Sequence, residues 1–325
     1  MLGAELSSHP GAEGHTGLGR FGQLNEGGNA MGSVEEMLGR LFSPAGLKQI
    51  VNAHDTALVD EMRQRMAIAP SQSNNAVVEL AYQTMSRQYR NEYFFKNTLL
   101  TKILLGRHSI HTSTALRELP VAGSILDFLI INGIGQVYEV KTGLDNFDRL
   151  PSQLASYYQA FKYVTVVTDD SHLPAATARL QGTDVGLVVL TRRNTLHTVW
   201  APKPRTEQLT HEAMFKILRK GEYETILRAH FGKLPQVNQF QYYRACLAWF
   251  KKIDLETCHQ ELLAALKKRT TIQRHADQFQ RVPQSLKELV YFADFQDADY
   301  AELDQVLQRI PQREASNHVF SVSSR

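Results

Sequence analysis

The sequence predicts an α/β protein, with a mixed sheet flanked by helices and a helical region after it. Between residues 110 and 200, short apolar runs bounded by turn residues alternate with helical stretches at 151–161 and 172–180. Strands interleaved with helices favour an α/β core. From residue 206 onward the apolar spacing is helical throughout, which predicts a separate all-helical region.

The elements follow from periodicity and from turn residues. Apolar spacing predicts short helices within 33–74 and a long helix over 75–106, broken once. The predicted strands are 112–118, 125–131, 137–140, 163–168, 185–191 and 196–200. The predicted C-terminal helices are 208–219, 222–231, 237–252, 254–269, 283–294 and 297–310.

These elements predict five regions. Residues 1–32 hold nine of the twenty glycines and are expected to form a flexible arm. A short helical segment at 33–74 precedes the core at 75–202. A basic helical module at 206–314 and a tail at 315–325 complete the chain.

Composition sets broad limits on the class of protein. The chain of 325 residues is long enough for a large buried core, and its net charge is only +3. We find no apolar run long enough for a membrane span and no secretory signal at the start, so we expect no membrane partner. Two cysteines make no disulfide framework, and a cytoplasmic protein is expected.

The predicted hairpin carries the most informative residues. Asp127 interrupts the first strand, and Glu139 and Lys141 lie two residues apart on the second, so they project from the same face. An unpaired charge within an apolar strand costs free energy, so we expect Asp127 to have a functional role there. Two carboxylates make a hard oxygen site suited to Mg²⁺, and a lysine can hold or polarise a metal-bound water.

This arrangement resembles the PD-(D/E)XK nuclease superfamily, in which an acidic residue and a Glu-x-Lys motif lie on adjacent strands. Gln153 and Tyr157 on the following helix look like the Gln-x-x-x-Tyr motif of its RecB-like branch. The stretches 91–96 and 146–151 resemble a standalone bacterial "sce"-type family of this superfamily. That likeness covers about residues 85–200.

The resemblance implies a restriction-endonuclease-like core and a metal-dependent nuclease, with DNA favoured as substrate and Mg²⁺, replaceable by Mn²⁺, as cofactor. Asp127 and Glu139 would bind the metal through side chains, and Val140 through its carbonyl. Lys141 would orient the attacking water. Glu92 is either an additional metal ligand or part of a solvated helix face.

The roles of the helical residues remain open at this stage. Gln153 and Tyr157 would hold the substrate phosphate or orient Lys141. The alternatives for the whole protein are a fold that binds nucleic acid without cutting it, a subunit directed by a protein partner through 206–314, and an RNA substrate. Defence against foreign DNA is a further expectation that no residue specifies.

The C-terminal region has an uneven charge. Lys203 to Arg281 holds 15 basic residues against 8 acidic ones, whereas 282–314 holds 3 against 7. A basic helical module could dock phosphates, although a solvated face would look the same. The candidate nucleic-acid contacts are Lys251, Lys252, Lys267, Lys268 and Arg269.

Overall fold

A computed structural model describes residues 33–53, 56–143 and 145–311. These described residues form one compact unit. The predicted arm at 1–32 and the predicted tail at 315–325 lie outside the described residues.

One mixed sheet organises this unit. Its strands are β1 Thr114–Val121, β2 Ser124–Asn132, β3 Ile134–Lys141, β4 Tyr163–Asp169, β5 Gly186–Leu190 and β6 Leu196–Trp200. They lie side by side in chain order. β1, β2 and β3 pair antiparallel, β3, β4 and β5 pair parallel, and β6 returns antiparallel to β5. The predicted α/β architecture with a mixed sheet is confirmed.

Two tight turns set the register of the first three strands. Ala122 and Gly123 both have positive φ, 47° and 100°, and they join Val121 to its partner Ser124 in a two-residue hairpin. Gly133 alone, at φ 72°, reverses the chain between β2 and β3. The β2–β3 turn is therefore shorter than the four residues 132–135 that the sequence predicts, and both strands are longer.

Helices surround the sheet. Those before it are α1 Val34–Leu41, α2 Pro44–Ala53, α3 Ala57–Arg65, α4 Asn74–Gln88, α5 Glu92–Leu99 and α6 Leu105–Arg107. Those between strands are α7 Leu150–Tyr157 and α8 Leu173–Leu180. After the sheet come α9 His211–Ile217, α10 Lys220–Phe231, α11 Gln239–Phe250, α12 Leu255–Lys267, α13 Ala276–Arg281, α14 Lys287–Tyr291 and α15 Asp297–Gln308.

The predicted long helix at 75–106 is interrupted between α4 and α5. Asn91 begins α5, because its side chain accepts a hydrogen bond from the amide of Phe94. Glu92 is therefore the first residue of a new helix rather than an interior one. A π-helical turn at Leu100–Leu104 connects α5 to α6.

The predicted C-terminal helices are present with shifted ends, and two details differ. The stretch predicted as one helix at 283–294 is a 3₁₀ turn followed by the short α14. α13 has no counterpart in the prediction, because its six residues carry too little periodicity to be recognised.

Both faces of the sheet are covered, and the C-terminal helices divide between them. Side chains of α1–α5 and α13–α15 pack on the face that carries Phe128 and Tyr138. Side chains of α7 and α9–α12 pack on the opposite face, which carries Leu129 and Val137. Alternation along β2 and β3 produces this division. Leu263 of α12 comes so close to β3 that a Cβ at Gly135 would lie 2.5 Å from it.

Candidate active site

The candidate site lies where β2 and β3 separate. The two strands pair from Asn132 and Ile134 as far as Phe128 and Tyr138. At the next position Oδ2 of Asp127 accepts the backbone N–H of Val140 at 2.7 Å. A side chain thus takes the place of a strand partner, and we call this position the strand fork. β3 continues alongside β4 up to Lys141.

Glu139 and Lys141 form a buried ion pair at the fork. Glu139 is 1% exposed and Lys141 is 8% exposed. Nζ of Lys141 lies 2.8 Å from Oε1 of Glu139 and donates a second hydrogen bond to Oε1 of Gln153 at 3.0 Å. Taking two charges out of water is expensive, and such a pair persists only where its remaining hydrogen-bonding groups are satisfied.

Helix α7 supplies two of the partners that hold this pair. Gln153 and Tyr157 are one turn apart and share a face of the helix. The hydroxyl of Tyr157 lies 2.7 Å from Oε2 of Glu139 and 2.8 Å from the carbonyl of Ile125, and its single proton serves one of them at a time. Burial, and then the charge of Glu139, raise the pKa of Tyr157, so it stays a neutral donor.

The carboxyl group of Asp127 feels the other charges of the site. Burial, and then the charge of Glu139, raise the pKa of Asp127 to about 7, although the hydrogen bond from Val140 acts against the increase. The charge of Glu92 adds to the increase, and that of Lys96 opposes it. Two neighbouring carboxylates that repel each other gain from a cation placed between them.

The donor set fits a divalent cation with few protein ligands. Asp127 keeps Oδ1 free of any hydrogen bond within the described part of the chain, whereas both oxygens of Glu139 are engaged by Lys141 and Tyr157. No group of three His, Cys, Asp or Glu side chains in residues 33–53, 56–143 and 145–311 is arranged to hold a metal. Mg²⁺ commonly uses only one or two carboxylates and keeps several waters, so Asp127 and Glu139 could hold it without a third carboxylate.

Glu92 is placed beside the site but is not joined to its carboxylates. Its Oε1 lies 2.6 Å from Nζ of Lys96, and Glu118 approaches the same ammonium group at 3.5 Å. The side chain of Glu92 is 56% exposed. The alternatives given above for Glu92, an additional metal ligand or a solvated helix face, both stay predictions.

Two residues of the site were missed by the sequence interpretation. The ammonium of Lys96 is buried and holds Glu92 and Glu118, and its position four residues after Glu92 on α5 could have revealed it. Glu118 has φ 53° and lies between the pairs Arg117–Phe128 and Leu119–Leu126, which places it opposite Asp127 in the register of β1 and β2. This distortion of β1 depends on the register and has no sequence signal.

The five candidate basic residues lie at the ends of two helices. Lys251 and Lys252 follow α11 and are exposed, and Lys251 pairs with Glu212. Lys267, Lys268 and Arg269 close α12, where Lys268 is exposed and Lys267 is half-buried. Arg269 donates two hydrogen bonds to Glu222, at 2.7 and 2.6 Å, and one to the carbonyl of Ile217. Its guanidinium is therefore used within the protein.

Comparison with known proteins gives a family. The family model described as bacteriophage P4 protein cII matches residues 85–290, which is well over half of the 325 residues. The chain belongs to the bacteriophage P4 protein cII family. No curated protein and no solved structure matches the chain.

The region shared with the bacteriophage P4 protein cII family runs from the last turn of α4 to α14. It includes all six strands, the strand fork and α7. Helices α1–α3 and α15 lie outside it. Among the described residues, no helix is long and apolar enough to cross a membrane.

Proposed function

We propose that the protein is a metal-dependent nuclease that hydrolyses phosphodiester bonds, with DNA as the preferred substrate. The observation that carries this proposal is the strand fork, where Asp127 and Glu139 meet and Lys141 is held against Glu139 by Gln153. The likeness of these residues to the PD-(D/E)XK motif supports it.

Asp127 and Glu139 would hold Mg²⁺ or Mn²⁺, and such an ion lowers the pKa of a bound water and offsets charge on the transferring phosphoryl group. The carbonyl of Val140 is the further ligand that the resemblance suggests. To hold a metal, Glu139 would share or exchange its hydrogen bond from Lys141 or from Tyr157, and the Tyr157 hydroxyl has the carbonyl of Ile125 as a second acceptor.

Lys141 would supply positive charge to the reacting phosphate and orient the attacking water. An ammonium group has three donors, and Glu139 and Gln153 use two of them. The third donor has no partner among the described residues and can face a water or a phosphate oxygen. Gln153 and Tyr157 would act as positioning residues, since they bond Lys141 and Glu139 directly.

A second candidate function is binding of nucleic acid without cleavage. The observation that favours it is that both oxygens of Glu139 already have hydrogen-bond partners. A site that stays closed in this way would not take a metal, and the fold would then serve for recognition only.

Cleavage assays separate the two functions and test the metal. We expect the purified protein to cut plasmid, linear or single-stranded DNA with Mg²⁺ or Mn²⁺, and a chelator to abolish the reaction. RNA is tested in parallel. Persistent cleavage in excess chelator would contradict the metal mechanism, and absence of cleavage with every substrate and metal would favour binding alone.

An isosteric pair of variants controls this assay. Asp127→Asn keeps an acceptor for the amide of Val140 and removes the charge that a metal needs, so it should abolish cleavage. Asp148→Asn removes a carboxylate from an exposed position just before α7 and should cut like the wild type. Calorimetry with Mn²⁺ should show binding lost in Asp127→Asn and kept in Asp148→Asn.

A further inference from the structure

A large polar cavity opens at the carboxyl ends of the parallel strands. Its volume is about 910 Å³, and its lining includes Asp169 at the end of β4 and the segment that follows β5. In open α/β sheets, ligands bind outside the carboxyl ends of the strands. None of the residues singled out in the sequence lines this cavity.

Four arginines line the cavity, from two distant parts of the chain: Arg87 and Arg90 near the α4–α5 junction, and Arg192 and Arg193 after β5. Arg90 has a structural role. Its guanidinium donates to the carbonyls of Thr191 and Arg192 at 2.8 and 2.7 Å, and to the side chain of Asn194 at 2.7 Å. It therefore fixes the loop after β5 against the junction.

The other three guanidinium groups are available to a ligand. Arg87, Arg192 and Arg193 are exposed and form no ion pair with any residue that the structure describes. Two acidic residues also line the cavity: Asp170 accepts the amide of Arg192 and Asp169 accepts the amide of Ser171, both at 2.9 Å, and the charges of both act on Arg90. Planar guanidinium groups match the geometry of phosphate oxygens.

The cavity adjoins the candidate active site along two chain segments. Gly143 lines it and lies two residues beyond Lys141, while Arg90 lines it and lies two residues before Glu92. Two residues span at most about 7 Å of chain. The cavity therefore begins within about 7 Å of chain from Lys141, close enough for one polyanion to reach both places.

We propose that this cavity binds the sugar–phosphate backbone of the DNA strand next to the phosphate that is cut. The inference rests on the proposed nuclease function and adds the residues that grip the substrate. Arg87, Arg192 and Arg193 contact phosphates. Arg90 fixes the loop that carries Arg192 and Arg193. Small-molecule pockets are lined mainly by apolar and aromatic side chains, whereas the described lining of this cavity includes four arginines and one aromatic residue, Tyr89, and this favours a backbone over a free nucleotide.

Binding of a short labelled DNA duplex, measured by fluorescence anisotropy in chelator, tests the proposal. The full chain is compared with the single variants Arg87→Ala, Arg192→Ala and Arg193→Ala and with the triple variant. Each lost contact should weaken affinity on the order of 10-fold. It should also make the log–log salt slope less negative by about 0.9.

The matched control is Arg228→Ala, an exposed arginine of α10 without an ion pair among the described residues. It should bind DNA like the wild type. Equal losses in Arg228→Ala and the cavity variants would reduce the effect to overall charge and overturn the proposal. Wild-type affinity and slope in the triple variant, or no DNA binding by the wild type, would also overturn it.

Cleavage and binding, measured on the same proteins, distinguish a failure of the cavity proposal from a failure of the nuclease proposal. A protein that binds DNA with this arginine dependence but never cleaves it would refute the nuclease and keep the cavity assignment. If the wild type cleaves DNA and the triple variant binds DNA normally, the nuclease proposal stands and the cavity assignment is refuted. A mononucleotide that binds as tightly as the duplex, with the same arginine dependence, would make the cavity a nucleotide pocket and overturn the strand assignment.

Discussion

The strand fork and the C-terminal helices hold their charges in opposite ways. At the fork, Glu139 and Lys141 are almost fully buried and are bonded to each other and to α7. After α11, Lys251 and Lys252 are exposed to solvent. A buried charge costs free energy and must be held by particular partners, whereas a surface charge costs almost nothing and is tolerated at many positions. The fork is therefore the stronger indicator of function.

The largest effect should come from breaking the buried pair. Lys141→Ala leaves Glu139 buried with Tyr157 as its remaining side-chain partner, so we expect a loss of about 3–5 kcal/mol in the free energy of unfolding. Lys252→Ala, the surface control, should stay within about 0.5 kcal/mol of the wild type. Urea denaturation measures both, and equal losses would show that the two lysines do not differ in environment.

A buried histidine extends the comparison into the C-terminal helices. Burial, together with the charge of Lys162, lowers the pKa of His259 from 6.5 to about 4, while Glu256 acts in the other direction. The unfolded chain therefore takes up a proton below about pH 6.5 that the folded protein refuses until about pH 4. Above about pH 6.5 the histidine is neutral in both the folded and the unfolded chain. The free energy of unfolding decreases as the pH falls from about 6.5 to about 4.

Unfolding measured at two pH values checks this expectation. Between pH 7 and pH 5 the histidine should account for a loss of roughly 2 kcal/mol. His259→Leu removes the titrating group, and because Nε2 of His259 has no hydrogen-bond partner among the described residues, it breaks no bond of that nitrogen. The same loss in His259→Leu and wild type would assign the pH dependence to other groups.

The smallest effect should come from the ion pair between Lys251 and Glu212. Both side chains are about half exposed, so water and salt screen their attraction. Lys251→Ala should change the free energy of unfolding by less than about 1 kcal/mol, and the difference should shrink as salt is added. Thermal melting at low and high ionic strength measures it. A salt-independent loss of several kcal/mol in the free energy of unfolding would mean that Lys251, like Lys141, belongs to a pair shielded from solvent, which would contradict this expectation.

The order of strands and helices could be predicted because each strand from β2 to β5 is an apolar run bounded by turn residues. The fork could be located for a related reason. Asp127 stands alone among apolar neighbours, and Glu139 and Lys141 follow at a spacing that puts them on one face. Local patterns of this kind carry their meaning within about 15 residues of chain.

Features that depend on packing could not be predicted. Glu118 lies opposite Asp127 only because of the β1–β2 register, and the sequence predicts one break in the helix at 75–106 without locating it at Asn91. The arginine cavity joins Arg87 to Arg193, which are far apart in the chain. By contrast, the visible run of basic residues at 267–269 includes Arg269, whose guanidinium is bonded to Glu222.

Single-turnover cleavage of a labelled DNA by Lys141→Met, beside Lys48→Met, tests the central claim most directly. The methionine side chain reaches as far as Cε of lysine, with sulfur in place of Cδ, and it lacks the ammonium group. In Mg²⁺, we expect Lys141→Met to lose on the order of 100-fold or more in rate, because a charge aimed at the reacting phosphate is removed. Lys48→Met, at an exposed position of α2, should cleave like the wild type. Wild-type cleavage by Lys141→Met, or equal losses in the two variants, would contradict an active site at the strand fork.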